Sequence, residues 1–166
     1  MSLLQVRHLP DPILKAPTRR VSHIDERVRR LIDDMVETMR RHPRCVGLAA
    51  PQVGSHLRVA VMEASAHPKA VDTHGLLVLV NPELDEPEGE SVGREGCLSV
   101  PDFTGNVRRA VRLRLRALDQ DGRRRKWRLE GFEAIVAQHE VDHLDGKLFL
   151  DRVASSADVF RRKTYL

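Results

Sequence analysis

The segment QHEVDH, Gln138 to His143, places two imidazoles four residues apart with a carboxylate beside the first. On an α-helix that spacing puts His139 and His143 on one face, one turn apart. Phe132 and Val136 fall on the same face, so the pair is expected to point into the core. Two buried imidazoles would each cost desolvation and would repel one another if charged. A divalent metal ion removes both problems, because it takes neutral imidazoles as ligands.

A catalytic metal of this kind needs a third protein ligand and one open position. The extended pattern H-E-x-x-H-x-x-G-x-x-H holds as far as Gly146 and then fails at Phe149. No glutamate follows Glu140 and no histidine follows His143, and Asp145, Asp151 and Asp158 read as helix-end, surface or capping residues. The third ligand is therefore sought upstream, where Cys97 lies in GREGCLSVP (Gly93–Pro101). A thiolate with two imidazoles leaves a fourth position for water. A lone cysteine is more often a buried structural thiol; the missing ligand favours the metal role for Cys97. In CVGLAAPQVG (Cys45–Gly54), Gly47, Ala49 and Ala50 are small enough for another chain to approach the backbone, and Gln52 offers an amide donor to an oxyanion. The plainer alternative there is a tight turn carrying a surface glutamine.

The elements that must position these residues follow from periodicity. Asp25 to Arg41 reads as a helix, with Val28, Leu31, Ile32, Met35 and Met39 on one face and Pro43 as its stop. Leu57–Met62 and Leu76–Pro82 read as buried strands. Val111–Leu118 alternates strictly, which turns Arg112, Arg114 and Arg116 outward, and DQDG (Asp119–Gly122) returns the chain as a hairpin. A second helix runs from Gly131 to Gly146, and the tail SSADVFRRK reads as a short capped helix. The sum is an α+β class, antiparallel strands with two main helices, in one domain spanning 1–166.

The chain has 166 residues, 41% hydrophobic and 31% charged, an ordinary globular balance, with aromatics at only 4%. Two cysteines are too few for a disulfide framework, and no apolar run approaches a membrane span. These features describe a cytoplasmic protein; a mature organellar protein would read the same. The net charge of +4 is weak support for an anionic partner.

Taken in order, GLAAPQ, EGCLS and QHEVDH resemble the three signature motifs of the peptide deformylases. LPDPILKAP, NPEL and HLDGKLF resemble that family too, so the likeness covers nearly the whole chain. It implies antiparallel β-sheets packed around a central helix carrying the H-E-x-x-H motif. It implies removal of the formyl group from the N-terminal formyl-methionine of new polypeptides, releasing formate. Cys97, His139 and His143 would hold one divalent ion, Fe²⁺ in the cell, with Zn²⁺, Ni²⁺ or Co²⁺ as substitutes. Glu140 would take a proton from the attacking water and deliver one to the departing amine. The Gln52 amide and the Leu98 backbone N–H would face the developing oxyanion. Val46, Gly47, Leu98, Ile135 and Val136 would shape the methionine pocket, and Glu95 would pair with Arg109 near the metal loop. Cys45 stands where the family usually has glycine, as in some organellar members, whereas Leu98 is the residue that bacterial-type members carry after the metal cysteine.

The same residues admit other functions. A zinc peptidase cutting internal bonds lacks its downstream ligand. A structural or silent site would need neither Glu140 nor Gln52. The outward Arg112, Arg114 and Arg116, with Arg123 to Arg125 and Arg128, read first as a solvated face; the alternative is ribosomal RNA, with the tail FRRKTYL as a further ribosome contact. Few aromatics are present for base stacking, so a dedicated nucleic-acid module ranks last and no specific DNA contact is expected.

Overall fold

The computed structural model describes residues 2–65 and 67–163. In chain order it contains helix α1 (Glu26–Arg41), strands β1 (Gly47–Ala49), β2 (Val59–Glu63), β3 (Leu76–Glu88), β4 (Ser91–Cys97), β5 (Val100–Arg109), β6 (Arg112–Leu118) and β7 (Arg124–Glu130), helix α2 (Gly131–Leu144) and strand β8 (Val159–Arg161). The larger sheet is antiparallel with order β1-β2-β3-β6-β7, and the smaller one has order β4-β5-β8. This is the α+β arrangement that the periodicities predict.

Period-2 alternation explains how the larger sheet carries a helix on each face. Ala60 and Met62 of β2, with Leu77 and Leu79 of β3, pack with Ala134, Val136 and Ala137 of α2. The intervening Val59, Val61, Val78 and Val80 pack with Val28, Ile32, Met35 and Met39 of α1. Asp25 caps α1 by accepting from the Val28 N–H at 3.0 Å, and Leu31 sits at the edge of the buried face. The turn between β6 and β7 is held by Asp119, which accepts from the N–H groups of Asp121 and Arg123 at 2.9 and 3.0 Å.

Helix α2 departs from the one-sided pattern. Its buried residues include Glu133, Glu140, Asp142 and His143 as well as Ala134, Val136, Ala137, Val141 and Leu144, so it is enclosed around most of its circumference. Gly146, with φ +74°, ends it, and a Cβ there would stand 2.8 Å from the Lys15 carbonyl oxygen.

Two expectations are corrected in extent. The expected tail helix is cut to one 3₁₀ turn, Ser156–Asp158, capped by Ser155, which accepts from the Ala157 N–H; the chain then enters β8, which pairs with Phe103–Gly105 of β5. Strand β3 continues past Pro82 to Glu88, and β4 and β5 form a regular hairpin broken only between Gly96 and Cys97. The outward arginine face is solvent-exposed, and the added length of β3 brings acids opposite it. Arg114 grips Asp85 at 2.8 and 2.9 Å, Arg116 reaches Glu83 and Asp85 at 3.2 and 3.1 Å, and Arg128 meets Glu86 at 2.8 Å. Of the tail Phe160–Leu166, residues 164–166 lie outside the described residues. No helix among the described residues is long and apolar enough to cross a membrane.

Candidate metal centre

Cys97 ends β4 where the register with β5 shifts, so its side chain leaves the regular pleat and turns toward α2. Its Sγ lies 3.3 Å from His143 Nε2, and ligand atoms of Cys97, His139 and His143 all fall within 4.8 Å of one another. Cys97 is 7% and His143 1% exposed. Burial pushes the Cys97 thiol up, but the two imidazoles more than offset this and hold it well below its usual value. A thiolate facing imidazole nitrogens is a donor set for a divalent ion with soft or borderline character.

The orientation of His139 is fixed from behind. Its Nδ1 pairs with Glu95 Oε1 at 2.9 Å, which leaves Nε2 as the ligand atom. Glu95 is gripped by Arg109 through two contacts of 2.9 Å, and Arg109 Nη1 donates to Asp142 at 2.6 Å. Arg152 closes the chain on Asp142 at 2.8 and 3.2 Å. The expected pair of Glu95 and Arg109 is thus part of a longer buried run of alternating charge. His143 Nδ1 is buried without a hydrogen-bond partner among the described residues, so the two histidines are supported unequally.

Glu140 follows His139 on α2 and is 3% exposed, with its Oε2 buried and unpartnered among the described residues. Burial pushes its carboxyl up to about 7, against the pull of the two histidines. Gly47 of β1 lies against this carboxylate so closely that a Cβ at residue 47 would collide with it. The neighbouring Cys45 thiol is pushed up to about 12 by burial and by Glu140, and it donates to the Gly47 carbonyl at 3.2 Å.

Gln52 is not a surface residue: it is 2% exposed, in a tight turn (Ala50–Val53) that follows β1. The Ala49 N–H donates to its Oε1 at 3.0 Å, which directs Nε2 toward Cys97 Sγ and Ser99 Oγ, each at 3.2 Å. Leu98 is half-buried between Cys97 and Ser99. Val136, on α2, belongs to the core under the larger sheet, while Ile135 is half-exposed and Val46 packs at the edge of the same core.

Asp142, Arg152, Ser99 and Phe149 are additions that sequence reasoning missed. Asp142 had a signal, a carboxylate inside the apolar run V-D-H-L. Phe149, which breaks the extended histidine pattern, instead stacks on His139 with centroids 6.4 Å apart.

Helix, strand and turn converge on a buried centre for metal-dependent hydrolysis. The polypeptide deformylase family profile matches residues 3–159. A peptide deformylase of Dictyoglomus thermophilum is 49% identical over 148 residues, 89% of this chain and 91% of that protein. The crystal structure of peptide deformylase from Thermotoga maritima superposes with a TM-score of 0.84 at 35% identity, covering 93% of this chain and all of that one. Peptide deformylase from Ehrlichia chaffeensis, solved in complex with actinonin, matches with a TM-score of 0.85 at 33% identity, over 93% of this chain and 91% of that one. The chain belongs to the polypeptide deformylase family, metal-dependent hydrolases that remove N-terminal formyl groups from nascent polypeptides.

Proposed function

We propose that Cys97, His139 and His143 hold one divalent ion, Fe²⁺ in the cell with Zn²⁺, Ni²⁺ or Co²⁺ able to replace it, and that this chain deformylates formyl-methionyl peptides there. The observation that carries the reading is the convergence of a thiolate and two imidazoles within 4.8 Å beside the unpartnered Glu140 oxygen. When bound, the ion supplies Lewis acidity and makes water a nucleophile near neutral pH.

The remaining work falls to side chains. Glu140 Oε2 accepts the proton of the attacking water and passes it to the departing amine, a two-way task suited to a carboxyl poised near neutrality. Gln52 Nε2, aimed by the Ala49 N–H, and the Leu98 N–H stabilise the oxygen on which charge develops. Val46, Gly47, Leu98, Ile135 and Val136 line the space for the methionine side chain. Residues 1–166 act as one catalytic domain. Contact with the ribosome is part of this reading, supported by the net charge of +4 and the basic tail FRRKTYL.

The test is formate release from formyl-Met-Ala-Ser by protein purified without oxygen, with metal counted per chain and acetyl-Met-Ala-Ser alongside. Release from the formyl peptide alone is expected. A stoichiometrically loaded protein that releases none would overturn the assignment.

A further inference from the structure

The segment joining β2 to β3 is tied to the first turn of α2 at two consecutive residues. The His67 ring stacks on Phe132, with centroids 4.3 Å apart and planes inclined at 23°. Seven residues later, the His74 N–H donates to Glu133 Oε2 at 2.8 Å, and His74 Nδ1 meets Oε1 at 2.5 Å. The His67 ring is oriented by the Lys69 N–H, which donates to Nδ1 at 3.1 Å and so commits the ring proton to Nε2. Burial, with Lys69 and Arg44 nearby, holds this histidine below its ordinary pKa, so near neutral pH it presents an uncharged face.

Two routes lead from the metal centre to this ring. Along α2, Phe132 lies on the face of Val136 and His139, about 10.5 Å from His139 at the helical rise. Along β1, Gly47 touches Glu140 and pairs with Met62, and the Val46 carbonyl accepts from the Glu63 N–H at 2.8 Å. His67 follows Glu63 by one short turn, and Val46 and Phe132 are half-buried against the same core cluster. An extended methionine side chain reaches about 7 Å from the formyl carbon, and the Phe132 ring on which His67 stacks packs against the same cluster as Val46 and Val136.

We propose that His67, backed by Phe132, closes the far end of the methionine pocket and sets the length of side chain accepted. This rests on the placement of that pocket along Val46, Gly47, Ile135 and Val136. His67 is then a specificity-determining residue supplied by the β2–β3 connection, outside the three sequence motifs.

The test compares kcat/KM of the metal-loaded enzyme for formyl-Met-Ala-Ser with peptides whose first residue is aminooctanoate (longer) or norvaline (shorter). His67→Ala should raise the aminooctanoate-to-methionine ratio about tenfold, the scale of one or more methylenes in a closed pocket. His67→Trp keeps a ring on Phe132 but fills more space, and should raise the norvaline-to-methionine ratio by a similar factor. His67→Phe should leave both ratios near wild type. Ratios unmoved in His67→Trp, and in His67→Ala if it folds, overturn the proposal. If the wild-type protein fails on formyl-Met-Ala-Ser, the deformylase reading falls instead, so the two failures are distinct.

Discussion

Arg109→Met should damage both stability and metal binding, and two lines of reasoning bound the loss of stability. Arg109 is 5% exposed and is the cation between Glu95 and Asp142, themselves 8% and 6% exposed. Asp142 would keep Arg152, whose side chain is 43% exposed, whereas Glu95 would keep only His139. Breaking a buried pair by removing one partner costs about 3–5 kcal/mol. The second route is protonation. Burial raises the Glu95 carboxyl, but Arg109 and His139 overcome this and lower it from 4.5 to about 2. That drop, shared between Arg109 and His139, corresponds to about 3 kcal/mol. Because the folded value lies below the unfolded one, this stabilisation is full above pH 4.5 and is lost as pH falls toward about 2. Urea unfolding should therefore show a loss of about 3–5 kcal/mol for Arg109→Met near neutral pH, and a smaller loss in acid, where the wild type has surrendered the same term. With Glu95 no longer anchored, the His139 ring loosens, and metal affinity should fall about 10–100-fold. A stability loss below about 1 kcal/mol, the range of an exposed pair, with unchanged metal affinity would refute the reasoning.

Gly47→Ala would drive a methyl group into the Glu140 carboxylate, so kcat should fall about 100-fold while metal content is kept, as activity assays and metal analysis would show. Gln52→Leu removes the amide donor and should lower kcat about 10²–10³-fold with little change in KM, measured on protein confirmed folded by its melting curve. In metal-free protein, iodoacetamide near neutral pH should label Cys97, held as thiolate by the imidazoles, and spare Cys45, pushed up to about 12. Peptide mapping by mass spectrometry reads this directly, and prior loading with Ni²⁺ should protect Cys97.

The site was legible wherever chemistry demands fixed residue types. His139 and His143 are spaced by the helix, and the absence of a downstream ligand pointed to Cys97, which stands with them. Gln52 was less legible, since nothing in its local sequence says that Ala49 would orient it inward. Strand β6 and helix α1 were readable from period alone, and β2 from its apolar run. The hairpin of β4 and β5 was not, because its exposed residues and glycines carry no clear alternation, and pairing partners fix it instead. The tail combines a serine cap with a short polar run, the local signature of a helix, yet the open edge of β5 captures it as β8. The acids of β3 were visible in sequence, but their register against Arg114 and Arg116 is a tertiary fact.

The central claim is that Glu140 moves the proton at a Cys97/His139/His143 metal site. The most direct measurement is formate release from formyl-Met-Ala-Ser by Glu140→Gln beside the wild type, both carrying one Ni²⁺ per chain. The amide keeps the side chain's shape but cannot accept the proton, so turnover should fall about 10²–10⁴-fold with metal retained. Near-wild-type release by the loaded variant would contradict the account and assign the proton transfer to another group.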